Sequence, residues 1–341
     1  MPTRNCLDRF RSLAALCLLV LMLLGPAILA QGSPKCGYCG KAISGSYIQY
    51  ENRLYHPECY HNNVAPKCAF CGKPLGEKWV VHDSKNYHQR CFDDNVALKC
   101  SVCGGIIEGE YLLDYWGNKY HKYHEDEIPS CSFCGRLFSD PLAGQGQAFG
   151  RKHHICASCA AESVSDEPLG RKLLDETRDR LADAGVSIEQ DKIGFELVSQ
   201  EKLAQLTGRD SDNHFGLTRY EYTRFLGLFE NREYTIYILT GLPKLHFISA
   251  AAHELMHVWL LTNTRQKTEE QLVEGSCNYA AALVLRQYND EMAGYVIKQM
   301  DDEPDVIYGE GFRRVKKMAD NRGVEYWLQH LRLDPEFPIG Y

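Results

Sequence analysis

The stretch His253-Glu254-Leu255-Met256-His257 decides how this chain is read. It lies in an apolar run that opens Phe247-Ile248-Ser249-Ala250-Ala251-Ala252 and continues through Val258-Trp259-Leu260-Leu261. No Gly or Pro interrupts residues 250–261, so the segment reads as a helix buried on most sides. Histidines four positions apart share one helix face, one turn from each other, and can hold a single zinc ion. Glu254 projects beside them as a general base for a water that the metal acidifies. Two imidazoles and a carboxylate in a buried helix are costly without such a partner.

Downstream, a second helix is expected to begin near Thr268. Glu274 interrupts its apolar stretch and can complete a His2Glu site with the fourth position open to water. Glu270 is the rival ligand, but Glu269 and Glu270 sit in the polar first turn, where acids favour the helix N-terminus. Gly275 and Ser276 are small enough to bring this helix close to the zinc helix, and Cys277 reads as a small buried side chain. Upstream, Glu233-Tyr234-Thr235-Ile236-Tyr237-Ile238-Leu239 is the clearest strand, and Gly241-Leu242-Pro243 turns the chain into the helix. Its edge beside the metal would suit an extended substrate, the alternative being an ordinary core strand. Between linker and strand the pattern gives a helix over 170–184 ended by Gly185, a short strand at Ile193, Phe195 and Leu197, and a short helix from Ser199. A polar loop over 207–216 comes next, and 220–228 is ambiguous between states.

The N-terminal half is a repeat. Units opening C-x-x-C-G start at Cys36, Cys68, Cys100 and Cys131, with periods of 32, 32 and 31 residues. The opening pairs are Cys36 and Cys39, Cys68 and Cys71, Cys100 and Cys103, and Cys131 and Cys134. The closing pairs are His56 and Cys59, His88 and Cys91, His121 and His124, and Cys156 and Cys159. Gly after the second Cys permits the backbone of a tight metal-gripping turn. Tyr55, Tyr87 and Tyr120 precede the closing histidines, which suggests a recurring strand packed under each metal. A disulfide array fails on parity and leaves the histidines unexplained, whereas four tetrahedral structural zinc sites use all sixteen residues. In the fourth unit His153 with Cys156 is the alternative to Cys156 with Cys159.

Composition bounds the rest. The 341 residues carry fifteen cysteines and a formal charge of −7, which gives no basic field to recruit nucleic acid. Residues 1–30 read as a secretory signal: Arg4, Arg9 and Arg11 precede a leucine-rich run, then Gly25-Pro26 and small residues at the cut. The run is short for a membrane span, so no stable span is expected after cleavage, with an uncleaved anchor as the alternative. The expected domains are this signal, four zinc modules over 36–162, a linker over 163–170 with its Pro and Gly, and a metallopeptidase domain over 171–341.

The C-x2-C-x16-H-x2-C spacing of the first two units resembles the zinc modules of LIM domains, with longer segments between units. The block Gly241-Leu242-Pro243 through His253-Glu254-Leu255-Met256-His257-Val258-Trp259-Leu260 to Val273-Glu274-Gly275-Ser276-Cys277 resembles the LIM-domain zinc peptidases that limit organ size in plants, and their bacterial relatives. Gly150-Arg151 before Cys156, Lys119-Tyr120-His121-Lys122-Tyr123-His124-Glu125, Tyr308-Gly309-Glu310-Gly311-Phe312-Arg313 and Phe337-Pro338 are similar too. The resemblance implies proteolysis of protein substrates, a LIM-like array that serves as a protein-interaction platform, and Cys156 with Cys159 as the closing pair. The expected fold is α+β, an array of small zinc-stabilised β modules followed by an α+β gluzincin-like metallopeptidase domain. The expected function is an exported zinc endopeptidase, periplasmic or secreted, with one catalytic and about four structural Zn2+. In it His253, His257 and Glu274 hold the catalytic metal, Glu254 is the base, and Tyr308 is a candidate oxyanion donor with His330 behind it. The alternative is a non-enzymatic interaction scaffold with an inactive peptidase domain.

Overall fold

The computed structural model describes residues 33–76, 78–208, 214–225, 229–264 and 267–341. The leader assigned to residues 1–30 and the core of the 207–216 loop lie outside the described residues. The described residues form two compact units, one of those up to Leu113 with 118–122, the other of 114–117 with those from Tyr123 to Tyr341. Among the described residues no helix is long and apolar enough to cross a membrane.

The first unit repeats one small design. In the first module Cys36 opens a knuckle whose Gly40 N–H returns to the Cys36 carbonyl at 2.9 Å, with Gly40 at φ +73°. Gly72 and Gly104 repeat this angle, a left-handed conformation open to glycine without a Cβ penalty. Beyond the knuckle stands a hairpin, Ile48–Tyr50 against Arg53–Tyr55 in the first module and Val80–His82 against Lys85–Tyr87 in the second. The hairpin turns use Glu51-Asn52 and Asp83-Ser84, all at positive φ, which matches the right-handed twist of the flanking strands. Tyr55, Tyr87 and Tyr120 are buried under the knuckles.

In the second unit a single core runs from the fourth module through the C-terminal helices. The fourth hairpin pairs Gly146–Phe149 with His153–Cys156. Then come α1 (Glu167–Asp183), β1 (Ile193–Val198), α2 (Gln200–Thr207), β2 (Gly216–Phe225), β3 (Phe229–Leu239), α3 (Lys244–Asn263), α4 (Glu270–Leu285), α5 (Glu291–Asp302), α6 (Gly311–Arg322) and α7 (Val324–Leu333). Side-chain oxygens of Asp166, Ser199 and Asp290 cap α1, α2 and α5.

Two expectations are corrected by the fold. Residues 163–170 are not a linker: Ser163–Val164 pairs with Leu242–Pro243, and α1 already starts at Glu167. The Pro and Gly that suggested a break sit inside the first turns of α1. Pro168 needs no N–H partner there, and Gly170 leaves room for Phe195, whose ring lies 2.8 Å from where a Cβ would stand. The division between compact units falls near Lys122 instead. The 233–239 strand is not an edge either. β3 is central, parallel to β1 and antiparallel to β2, with Ile236 and Ile238 fully buried. The edges are β1 and β2, and β2 covers much of the ambiguous 220–228 stretch.

Candidate metal centres

The first three modules share one ligand geometry. His56 turns Nδ1 to Cys39 Sγ at 3.5 Å and Cys59 Sγ at 3.8 Å, while Nε2 donates to the Ala42 carbonyl at 3.2 Å. His88 does the same with Cys71, Cys91 and the Pro74 carbonyl. His121 Nδ1 lies 3.6 Å from Cys103 Sγ, and its Nε2 donates to Ile106. A backbone carbonyl thus fixes the tautomer and leaves the Nδ1 lone pair for a metal. Burial opposes ionisation of Cys36, Cys68 and Cys100, yet N–H groups of the knuckle hold each thiol down to about 6. Burial and the neighbouring thiols push Cys59 and Cys91 up to about 11. The opening cysteine of each of these modules is thus favoured as a thiolate, the form that binds metal. The division between units falls inside the third module, so His124, on the short helix Tyr123–Glu127, belongs to the second unit, where it is buried.

In the fourth module Cys131, Cys134, Cys156 and Cys159 come together, all buried. Cys134 and Cys156 sulfurs are 3.8 Å apart, about the edge of a tetrahedron with Zn–S bonds near 2.3 Å. His153 stands outside this group, its ring 5.6 Å from Phe215 and 6.4 Å from Phe133. All four clusters carry donors that suit zinc, and none is bridged by a disulfide among the described residues.

The fifth group is built by α3 and α4. His253 and His257 Nε2 atoms are 3.2 Å apart, and Glu274 Oε2 lies 3.1 Å from the first and 3.8 Å from the second. Ligands of one tetrahedral zinc with bonds of 2.0–2.2 Å stand roughly 3.3 Å apart, so this trio fits the ion. Cys277 is an alternative donor, within 4.8 Å of both histidines. Its sulfur, however, meets His257 at Nδ1, 3.5 Å away, on the side of the ring turned from the trio. The Glu274 set is the one whose atoms converge. Burial opposes charge on His253, but the Glu274 hydrogen bond and the Glu254 and Glu274 charges raise its pKa. Burial lowers His257, and His253 adds to that. Burial would raise Glu274, yet His253, His257 and His214 hold it below the ordinary carboxylate range.

Glu254 is 5% exposed and faces the edge strand. Thr218 Oγ1 on β2 lies 2.8 Å from Glu254 Oε2 and 2.9 Å from its carbonyl oxygen, and donates to either. Gly216 keeps β2 close, since a Cβ there would stand 2.7 Å from Glu254 Oε1. Neither residue was legible in sequence, because the pairing spans 36 positions and no local pattern marks it. Asn278 was missed as well, although it lies four residues after Glu274 on the same face. Tyr308 sits on the π-turn Val306–Glu310, where its carbonyl accepts from Asn278 Nδ2 at 3.3 Å. His330 donates to the Glu336 carbonyl and stacks on Tyr326, which is a structural role. Gly275 and Ser276 face away from α3: Gly275 backs onto Gly311 of α6, and Ser276 accepts from Trp327 of α7. With Glu274, Cys277 and Asn278 directed to α3, the intervening positions are rotated to the other neighbours.

Two family models match the chain, a LIM domain over residues 36–96 and a DA1-like model described as Protein DA1 over 220–287 and 284–334. Among curated proteins the chain is similar to the LIM domain-containing protein HDR3 of Oryza sativa subsp. japonica, 23% identical over 66% of this chain and 57% of the relative. It is also similar to Protein DA1 of Arabidopsis thaliana, 23% identical over 66% of this chain and 52% of the relative. Protein DA1-related 2 of the same plant is 24% identical over 89% of this chain and 70% of its own length. The chain spans about half the length of the first two. It joins a LIM domain to a DA1-like domain and is homologous to these plant proteins.

Proposed function

We propose that the chain is an exported zinc endopeptidase whose LIM modules bind a protein partner or substrate. The observation that carries this reading is the convergence of His253 Nε2, His257 Nε2 and Glu274 Oε2 with the Glu254 carboxylate held one helical step away. When bound there, zinc supplies Lewis-acid polarisation and acidifies a water. Glu254 would take a proton from the attacking water and pass it to the leaving amine. Thr218 holds the carboxylate in the orientation that makes both transfers possible. The edge strand β2 has β3 as its one strand partner among the described residues and passes Glu254, so an extended substrate can add to it as a strand. The Tyr308 side chain is the proposed oxyanion donor. Export rests on the arginine-led apolar run of residues 1–30.

A partner role for the LIM domain rests on the second variable residue of each knuckle. Tyr38 and Phe70 are exposed, whereas Phe133 at the same place in the fourth module is buried against Phe149 and His246.

The test is a metal count combined with hydrolysis of an unfolded protein by the zinc-loaded chain. About five zinc ions per chain and new amino termini in the target are expected. Five ions without any cleavage would sink the peptidase reading, and a count near one would sink the array. Thr218→Val, nearly isosteric, is expected to slow cleavage about 10-fold or more with the zinc count unchanged, since it deletes a hydrogen bond to a buried carboxylate. Equal rates for Thr218→Val and wild type would remove Thr218 from the mechanism.

A further inference from the structure

One face of α4 carries more than the ligand Glu274. Cys277 and Asn278 come three and four positions after it, so all three project towards α3. Each of these two residues meets a different histidine at the nitrogen turned away from the trio. Asn278 Oδ1 lies 3.0 Å from His253 Nδ1, and Cys277 Sγ lies 3.5 Å from His257 Nδ1. The Asn278 amide cannot turn over, because its Nδ2 donates to the Tyr308 carbonyl. Tyr308 is fixed in turn: the Asp305 carboxylate accepts from the backbone N–H groups of Ile307 and Tyr308 at 2.8 and 2.9 Å.

We propose that Asn278 and Cys277 are positioning residues for the fifth metal site, each holding one histidine in the tautomer that directs its Nε2 lone pair at the ion. The proposal rests on the zinc reading of His253, His257 and Glu274. An amide oxygen pinned from behind can only accept, so His253 Nδ1 must carry the proton and Nε2 is left for the metal. Cys277 does the same for His257 with a weaker acceptor. A sulfur at 3.5 Å is a weak acceptor beside an amide oxygen at 3.0 Å. The two histidines are therefore held unequally, His253 by a four-residue relay reaching back to Asp305, His257 by one soft contact. A carboxylate in place of either acceptor would add a charge to a site that already holds Glu254 and Glu274, whereas an amide and a thiol orient the rings without one.

The experiment measures the affinity of the full chain for its fifth metal by competition with a chelator, using zinc and then cobalt, on Asn278→Ala, Asn278→Asp, Cys277→Ala and Cys277→Ser. Asn278→Ala is expected to lose about 10–100-fold in affinity with the other four ions retained. Asn278→Asp keeps an acceptor at the same place and is expected to recover most of that loss. Cys277→Ala should lose less, and Cys277→Ser should restore it. The cobalt difference spectrum between wild type and Cys277→Ser should show no thiolate charge-transfer band, because the sulfur does not touch the ion. Unchanged affinity in both alanine variants overturns the proposal while leaving the zinc reading intact. A thiolate band lost in Cys277→Ser makes Cys277 a ligand and overturns its positioning role. Absence of a fifth ion in the wild type defeats the zinc reading itself, and the proposal falls with it.

Discussion

On the peptidase reading, replacing Glu254 by glutamine is expected to cut hydrolysis of an unfolded protein by about 10²–10⁴-fold, the usual range for a lost general base. The substitution preserves shape and the acceptor oxygen. Thr218 can still donate to the amide oxygen, and β2 need not move from the position that Gly216 permits. The three converging ligand atoms belong to His253, His257 and Glu274, so the zinc count should stay as in wild type. An amide cannot accept the proton of an attacking water at neutral pH, and that is the one property removed. Cleavage measured by the appearance of new amino termini, with metal content determined on the same samples, separates the outcomes. A variant as active as wild type would assign the cleavage to a contaminant or to another base. Loss of zinc in the variant would instead make Glu254 part of the ligand set.

Gly309→Ala is expected to destabilise the second unit by about 3 kcal/mol or more, the upper part of the range for overpacking a closed contact. Gly309 is buried in the π-turn, and a Cβ there would stand 1.9 Å from the Glu303 carbonyl oxygen and 2.7 Å from its carbon. Backbone cannot rotate aside as a side chain can, so the turn must move as a whole. Its displacement carries the Tyr308 carbonyl away from Asn278, so metal affinity should fall together with stability. Denaturant titration of Gly309→Ala against Gly208→Ala provides the comparison. Gly208 has open space around it but φ +65°, so its alanine costs only the left-handed backbone penalty of roughly 1–2 kcal/mol. Equal losses at the two positions would mean that the π-turn yields easily and that no rigid packing holds it against Glu303.

The clusters of candidate metal donors were legible in the sequence because such donors recur at fixed spacing. Knuckles and closing pairs repeat with the chain, and His253, His257 and Glu274 sit on helices whose periodicity is local. The strand of residues 233–239 was legible as a strand and not as a central one, since neighbours in a sheet are chosen at long range. β1 pairs with β3 across more than one intervening element, and nothing in Ile193, Phe195 or Leu197 states that partner. Thr218 and Gly216 were silent for the same reason. The 163–170 segment misled because Pro and Gly signal a break on average, whereas in this chain they occupy helix positions that tolerate one and require the other. Gly275 was correctly read as a close approach but assigned to the wrong neighbour, because residue size reports that something is near and not what it is.

The fourth repeat has a double membership. By pattern it is the last link of a series, but Phe133, Ile155 and its four cysteines are continuous with the core that holds Phe247, Leu255 and Trp259. A series can be shortened from its outer end without harm to its remaining links, and a core cannot. Trimming the chain to residue 163 would obey the sequence motif and expose a greasy scar where Phe133 and Ile155 had been. Trimming it to residue 114 would keep that seam closed, with Trp116 still donating to the Cys134 carbonyl. On the zinc reading, the body left by that cut carries one ion that holds its frame and another that stands at its working face.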